Sequence, residues 1–92
     1  MLKPELIAQI ADHADIPRYL AAQVLTALTD EITEVLAAGE SVILAGLGSF
    51  VVKAVPERRV RNPRSGELQT VAAHRRVVFR PAKRLKDAAQ GA

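Results

Sequence analysis

Apolar residues recur at helical spacing from the start of the chain: Leu2, Leu6, Ile7, Ile10 and Ala14. This spacing predicts a short amphipathic helix, with Pro4 in the first turn, where a missing N–H costs little. Asp15-Ile16-Pro17 predicts a break and a restart. Asp15 is expected to cap the second helix, and Pro17 suits its first turn. That helix is predicted from about Pro17 to Ala38, with the stripe Leu20, Val24, Leu25, Leu28, Ile32, Val35 and Leu36, and with Gly39 at its C-cap. Such a helix is a rod of roughly 33 Å at ~1.5 Å per residue. A compact domain of this size has a radius of gyration of only about 12 Å. The stripe runs the full length of the rod, so something must cover all of it. A second copy of the chain is favoured over the short first helix and the sheet.

Beyond Gly39 the period changes to two. Val42-Ile43-Leu44 predicts a short strand, Ala45-Gly46-Leu47-Gly48 a turn, and Ser49 to Val55 a longer strand with Phe50 and Val52 on one face. Pro56 ends the regular pairing, because it cannot donate to a ladder. Residues 56–76 are rich in arginine and poor in large apolar side chains, with a turn cluster at Asn62-Pro63-Arg64-Ser65-Gly66. They predict a long hairpin that projects from the body. Val77-Val78-Phe79 resumes a buried strand. Pro81 starts a last helix, Ala82 to Gln90, with Leu85, Ala88 and Ala89 inward and Lys83, Arg84 and Lys86 outward. The class is α+β: two N-terminal helices, a three-stranded antiparallel sheet extended into a β-ribbon arm, and a short C-terminal helix.

Composition sharpens this picture. Of the 92 residues, 49% are apolar, but 16 are Ala and only three are aromatic: Tyr19, Phe50 and Phe79. A chain this short buries about 65% of its unfolded surface, which leaves a monomer marginal. The absence of Cys excludes disulfides, Cys-based zinc sites and thiol catalysis. No run approaches the ~20 apolar residues of a membrane span. The first residues do not read as a signal peptide, so a cytoplasmic protein with no membrane partner is expected. His13 and His74 lack any carboxylate or Cys partner pattern, and Asp30, Glu31 and Glu34 read as a solvated helix face. No enzyme, metal site or cofactor is therefore expected.

Charge separates along the sequence. Residues 1–50 carry two Lys/Arg against seven Asp/Glu, a net −5, and residues 51–92 carry eleven against three, a net +8. The overall +3 and a pI of about 9.8 conceal a basic working surface on an acidic support.

Most of that basic charge lies on the predicted hairpin. From Val55 to Pro63 the chain extends roughly 26 Å at ~3.3 Å per residue. The minor groove of DNA is ~6 Å wide and ~7.5 Å deep, so it admits an extended two-stranded arm. Guanidinium groups bind phosphates and enter narrow grooves. Pro63 puts a rigid apolar ring without an N–H at the tip.

At this point the residues match a pattern. Gly46-Leu47-Gly48-Ser49-Phe50, then Arg61-Asn62-Pro63, then Phe79-Arg80-Pro81-Ala82-Lys83 with Leu85-Lys86, resembles the bacterial histone-like DNA-binding family of HU and integration host factor, over essentially the whole chain. Insertion of apolar wedges at a kinked base step is a mechanism for which this family is itself a standard example. The resemblance implies an intertwined dimer, most simply a homodimer, with a paralogue as the alternative partner. It implies a single domain, 1–92. Within it, 1–40 is a helical dimerisation base, 41–55 and 77–92 a sheet saddle and C-terminal helix, and 56–76 the DNA-binding arm.

The DNA contacts implied are Arg58, Arg61, Asn62, Pro63 and Arg64 in the arm, with Pro63 as the intercalating wedge. Arg75, Arg76 and Arg80 would line the saddle and returning strand. Lys3, Lys53, Lys83 and Lys86 would meet phosphates on the flanks. Gly46 and Gly48 would allow close backbone approach. Leu28, Ile32, Leu47, Phe50 and Phe79 would form the dimer core, with Leu47 standing where the family typically has Phe. The function implied is largely sequence-independent binding and bending of double-stranded DNA in the nucleoid, with bent, nicked or flexible duplexes favoured. A site-preferring bender like integration host factor is one alternative. A basic-arm protein-interaction module without DNA binding is the other.

Overall fold

A computed structural model describes residues 1–91. Ala92, the last residue of the expected domain, lies outside the described residues. The order is α1 (Lys3–Ala14), α2 (Arg18–Ala37), β1 (Val42–Leu44), β2 (Gly48–Val55), β3 (Arg58–Arg61), β4 (Leu68–Val71), β5 (His74–Pro81) and α3 (Lys83–Gln90). The α+β class and its element order agree with the sequence reading. The chain divides into two units, Met1–Val35 and Leu36–Ala92.

In the first unit, α1 starts at an extended Leu2 that offers no side-chain cap, with Pro4 in the first turn. Its end corrects the expectation for Asp15. This residue closes α1 in the left-handed conformation (φ 55) instead of capping α2. The Asp15 N–H donates to the Asp12 carbonyl (3.4 Å) and the Ile16 N–H to the Ala11 carbonyl (3.0 Å). Two orphan carbonyls of the last turn are thereby satisfied, and the short polar side chain of Asp tolerates the left-handed backbone. Pro17 opens α2: its carbonyl accepts from Ala21 at 3.1 Å. Buried apolar residues are few: Ala11 on α1 and Ala21 on α2 are the only ones among the described residues.

The second unit is built on one hairpin. β2 pairs with both β1 and β5 in a three-stranded antiparallel sheet, and β3 pairs only with β4. The register runs Gly48↔Pro81 to Val55↔His74 in the first pair and Arg58↔Val71 to Arg61↔Leu68 in the second. Each partnership has the same residue sum, but the hydrogen-bonded positions shift by one residue across the break, from odd residues in β2 to even residues in β3. Only Pro56-Glu57 and Ala72-Ala73 interrupt the ladder. The Asn62 N–H donates to the Glu67 carbonyl at 2.8 Å, which marks 62/67 as a hydrogen-bonded position. Counting back by twos puts 56/73 at a hydrogen-bonded position too. Pro56 has no N–H to give there, and the ladder breaks.

The sheet reaches further than the sequence suggests. β5 takes in His74, Arg75 and Arg76, which composition assigns to the arm. Pro81 ends this strand, and Ala82 stands in the extended conformation before α3. The Ala82 N–H donates to the Leu47 carbonyl at 3.0 Å, tying the start of α3 to the β1–β2 turn.

Two expectations of burial fail within one chain. Val77 is 58% and Phe79 40% exposed, although their strand was expected to be buried. On α3, Leu85 is half-buried, while Ala88 and Ala89 are exposed. The apolar residues are where the pattern puts them, but a single chain supplies too little to cover them.

Candidate nucleic-acid interface

Strand alternation sorts the side chains of the hairpin onto two faces, since residues directly opposite each other share a face. One face carries Ser49/Arg80, Val51/Val78, Lys53/Arg76 and Val55/His74, then, past the break where the bonded positions shift by one, Arg58/Val71 and Val60/Gln69. The other carries Gly48/Pro81, Phe50/Phe79, Val52/Val77 and Ala54/Arg75, then Arg59/Thr70 and Arg61/Leu68. The first face is a basic stripe from the body to the arm. It brings together Lys53, Arg76, Arg80 and Arg58 from the expected DNA contacts. Arg59 and Arg61, two apart on β3, share the opposite face of the arm.

Arg75 also lies on the opposite face. Arg75 has a structural engagement there: its Nη2 donates to the Ala37 carbonyl at 3.3 Å. The last turn of α2 has no basic residue of its own. Arg75 therefore brings a cation from the sheet to the negative end of that helix.

The tip is held by its own hydrogen bonds. Asn62 Oδ1 accepts from the Arg64 N–H at 2.9 Å, and the Asn62 carbonyl accepts from the Gly66 N–H at 2.8 Å. Arg61 Nη1 donates to the Gly66 carbonyl at 2.9 Å, and the Glu67 N–H donates to Ser65 Oγ at 3.3 Å. Gly66 has φ 74, which suits glycine in such a turn. Asn62 thus shapes the loop that presents Pro63 and Arg64, both of which are exposed.

The other expected contacts lie on the helices and in the β1–β2 turn. Lys3 opens α1 in the first unit. Lys83 and Lys86, three apart on α3, are neighbours on one helix surface. Gly46 lies in the β1–β2 turn with φ 84. A Cβ there would lie 3.9 Å from Arg84 Nη1, so the turn carries a further cation beside it that was missed. Gly48 is buried, and its reason for being glycine is packing. A Cβ at that position would come within 2.5 Å of the Arg80 carbonyl oxygen and 2.9 Å of the Phe79 ring.

Phe50 and Phe79 stand opposite each other with ring centroids 4.9 Å apart and tilted by 45°. Leu28 and Leu47 are each 41% exposed, and Ile32 is half-buried. No group of three or more His, Cys, Asp or Glu among the described residues is placed to hold a metal ion. No described helix is long and apolar enough to cross a membrane.

Residues 1–90 match the family model described as "Bacterial DNA-binding protein". The chain is 46% identical over 88 residues to the DNA-binding protein HU of Xylella fastidiosa, covering 96% of this chain and 94% of that protein. It is equally identical, over 88 residues, to the DNA-binding protein HU-beta of Neisseria meningitidis, with 96% and 99% covered. Among solved structures, a cocrystal of Anabaena HU with DNA superposes with a TM-score of 0.86 at 32% identity, over 97% of each chain.

Proposed function

This chain belongs to the bacterial DNA-binding protein family that includes HU, and from that premise we propose that it binds double-stranded DNA as a dimer and bends it with little regard to sequence. The family is one of architectural DNA-binding proteins and not of enzymes. The observation that carries the reading is the basic hairpin. It delivers Lys53, Arg76, Arg80 and Arg58 along one face, with Arg59 and Arg61 on the other face of the arm, to a preshaped tip with an exposed proline. The stripe follows the phosphates, and Pro63 wedges between base steps. Asn62 and Arg64 act at the tip, and Lys83 and Lys86 meet the flanking backbone. Lys3 belongs to the flanks as well. Arg59 and Arg61 reach DNA from the other face of the arm. Gly46 lets the turn approach a phosphate beside Arg84. The domain divides into a helical base at 1–40, a saddle at 41–55 and 74–91, and an arm at 56–73. The setting is the bacterial nucleoid in the cytoplasm.

A dimer is supported by area. A folded monomer of 9.9 kDa exposes about 5,200 Å², whereas the chain exposes 7515 Å². Part of the excess is the arm, which pairs only with itself. The rest includes Leu20, Val24, Leu28, Leu47, Val77 and Phe79, all exposed large apolar side chains. An obligate dimer covers about 2,000–5,000 Å² over both partners, or about 1,000–2,500 Å² per chain, and the surplus per chain, arm included, is of that order. The pairing is most simply of two copies, and a paralogue presenting the same apolar face would serve too. The comparisons favour neither the site-preferring bender nor the protein-interaction module.

A salt series with an unmodified duplex tests the reading. The logarithm of affinity is expected to fall linearly with the logarithm of salt, by about 0.9 per phosphate contact. Affinity that does not change between low and physiological salt would overturn it.

A further inference from the structure

We propose that His74 is a further phosphate-binding residue, and that its contact with DNA is made only when the imidazole is protonated. The proposal rests on the DNA-binding reading above. His74 is exposed, lies on the basic face, and is the last body residue before the break in the ladder. Its Nδ1 lies 3.0 Å from the Ala72 carbonyl oxygen. A carbonyl oxygen only accepts, so Nδ1 carries the proton in the neutral ring. The other nitrogen, Nε2, is then a bare lone pair. Turned to a phosphate oxygen, it offers acceptor to acceptor and gains nothing. Protonation changes this without breaking the Ala72 bond. Nε2 becomes a donor bearing charge, the type of group that makes the stronger hydrogen bonds to phosphate.

The neighbours on this face set the local field. Val55 stands opposite, Lys53 is diagonal on β2, and Arg76 is two residues along β5. Beyond the break Arg58 is the next charged side chain on this face, and Glu57 precedes it along the chain. A DNA phosphate brought to the stripe adds negative charge and tips the balance towards the protonated form. Binding and proton uptake are thus linked, and each promotes the other.

The experiment measures duplex affinity and salt slope at pH 5.5 and pH 8.0 for the full chain, His74→Gln, His74→Lys and His13→Gln. Wild type is expected to bind about tenfold tighter at the lower pH, with a slope steeper by about 0.9 per chain. His74→Gln should match wild type at pH 8.0 and lose the response. His74→Lys should bind tightly at both pH values, and His13→Gln should behave as wild type. Melting curves at both pH values confirm that the exposed substitutions leave the fold intact. A wild-type affinity indifferent to pH, or the same response in His74→Gln, overturns the proposal while leaving the arginine-driven binding at pH 8.0 in place. No duplex binding at either pH would instead count against the DNA-binding reading.

Discussion

Gly48→Val is expected to lose the native fold under ordinary conditions, and Gly48→Ala to lower its stability by about 3 kcal/mol or more. Gly48 has φ 151, a backbone that side-chain-bearing residues rarely adopt, and it is buried. The atom its Cβ would strike first is the Arg80 carbonyl oxygen at 2.5 Å, which is backbone and cannot rotate away. The Phe79 ring at 2.9 Å closes the other side. Relief requires separating β2 from β5 at Gly48↔Pro81, where the sheet also meets the turn carrying Leu47. Thermal unfolding followed by circular dichroism at a fixed protein concentration measures the effect. A melting temperature within a few degrees of wild type for Gly48→Ala would show that the strands give way easily.

Excising the arm is expected to remove most DNA affinity and leave the body folded. The break at Pro56-Glu57 and Ala72-Ala73 marks where to cut, because Val55↔His74 is the last pair of the body sheet. Joining Val55 to His74 through Asn-Gly closes that pair with a two-residue hairpin turn suited to the strand twist. The excised segment carries Arg58, Arg59, Arg61 and Arg64. At about 0.9 per phosphate contact, their loss lowers the salt slope by about 3 to 4 per chain. Affinity near physiological salt should fall at least about a hundredfold. Sizing and melting report the fold, and a salt titration reports the slope. An excised chain that stays folded and binds duplex as tightly as the parent would place the DNA surface elsewhere.

The helices and the first two strands are legible in the sequence because their apolar periods are long and clean. The stripe from Leu20 to Leu36 also outruns what one short chain can cover, and the exposure of Val24, Leu28, Val77 and Phe79 is the structural counterpart of that mismatch. The start of β5 is less legible. His74-Arg75-Arg76 has the composition of the arm, and what draws it into the sheet is pairing with Lys53–Val55 of β2, a non-local fact. Asp15 misleads for a similar reason. The same residue type serves at either end of a helix, and only the backbone shows which.

The candidate site is legible in type more than in placement. Arginine content and the Arg61-Asn62-Pro63 tip point to a polyanion. Alternation, once the register is known, joins Arg58 to the stripe and turns Arg75 towards α2. Gly48 reads as a site of close DNA approach in the sequence, and the structure gives it a packing role beneath Phe79. Asn62 reads as a DNA contact, and the structure shows in addition how it builds the loop that holds Pro63.

The central claim is that the arms bend the duplex they bind, with Pro63 as the wedge. Energy transfer between dyes at the two ends of a short duplex, at saturating protein, measures this most directly. The wild-type chain is predicted to draw the ends together, and Pro63→Ala to relax most of that approach while retaining most of the affinity. A duplex that is bound to saturation with its ends no closer, or a bend unchanged in Pro63→Ala, would contradict it.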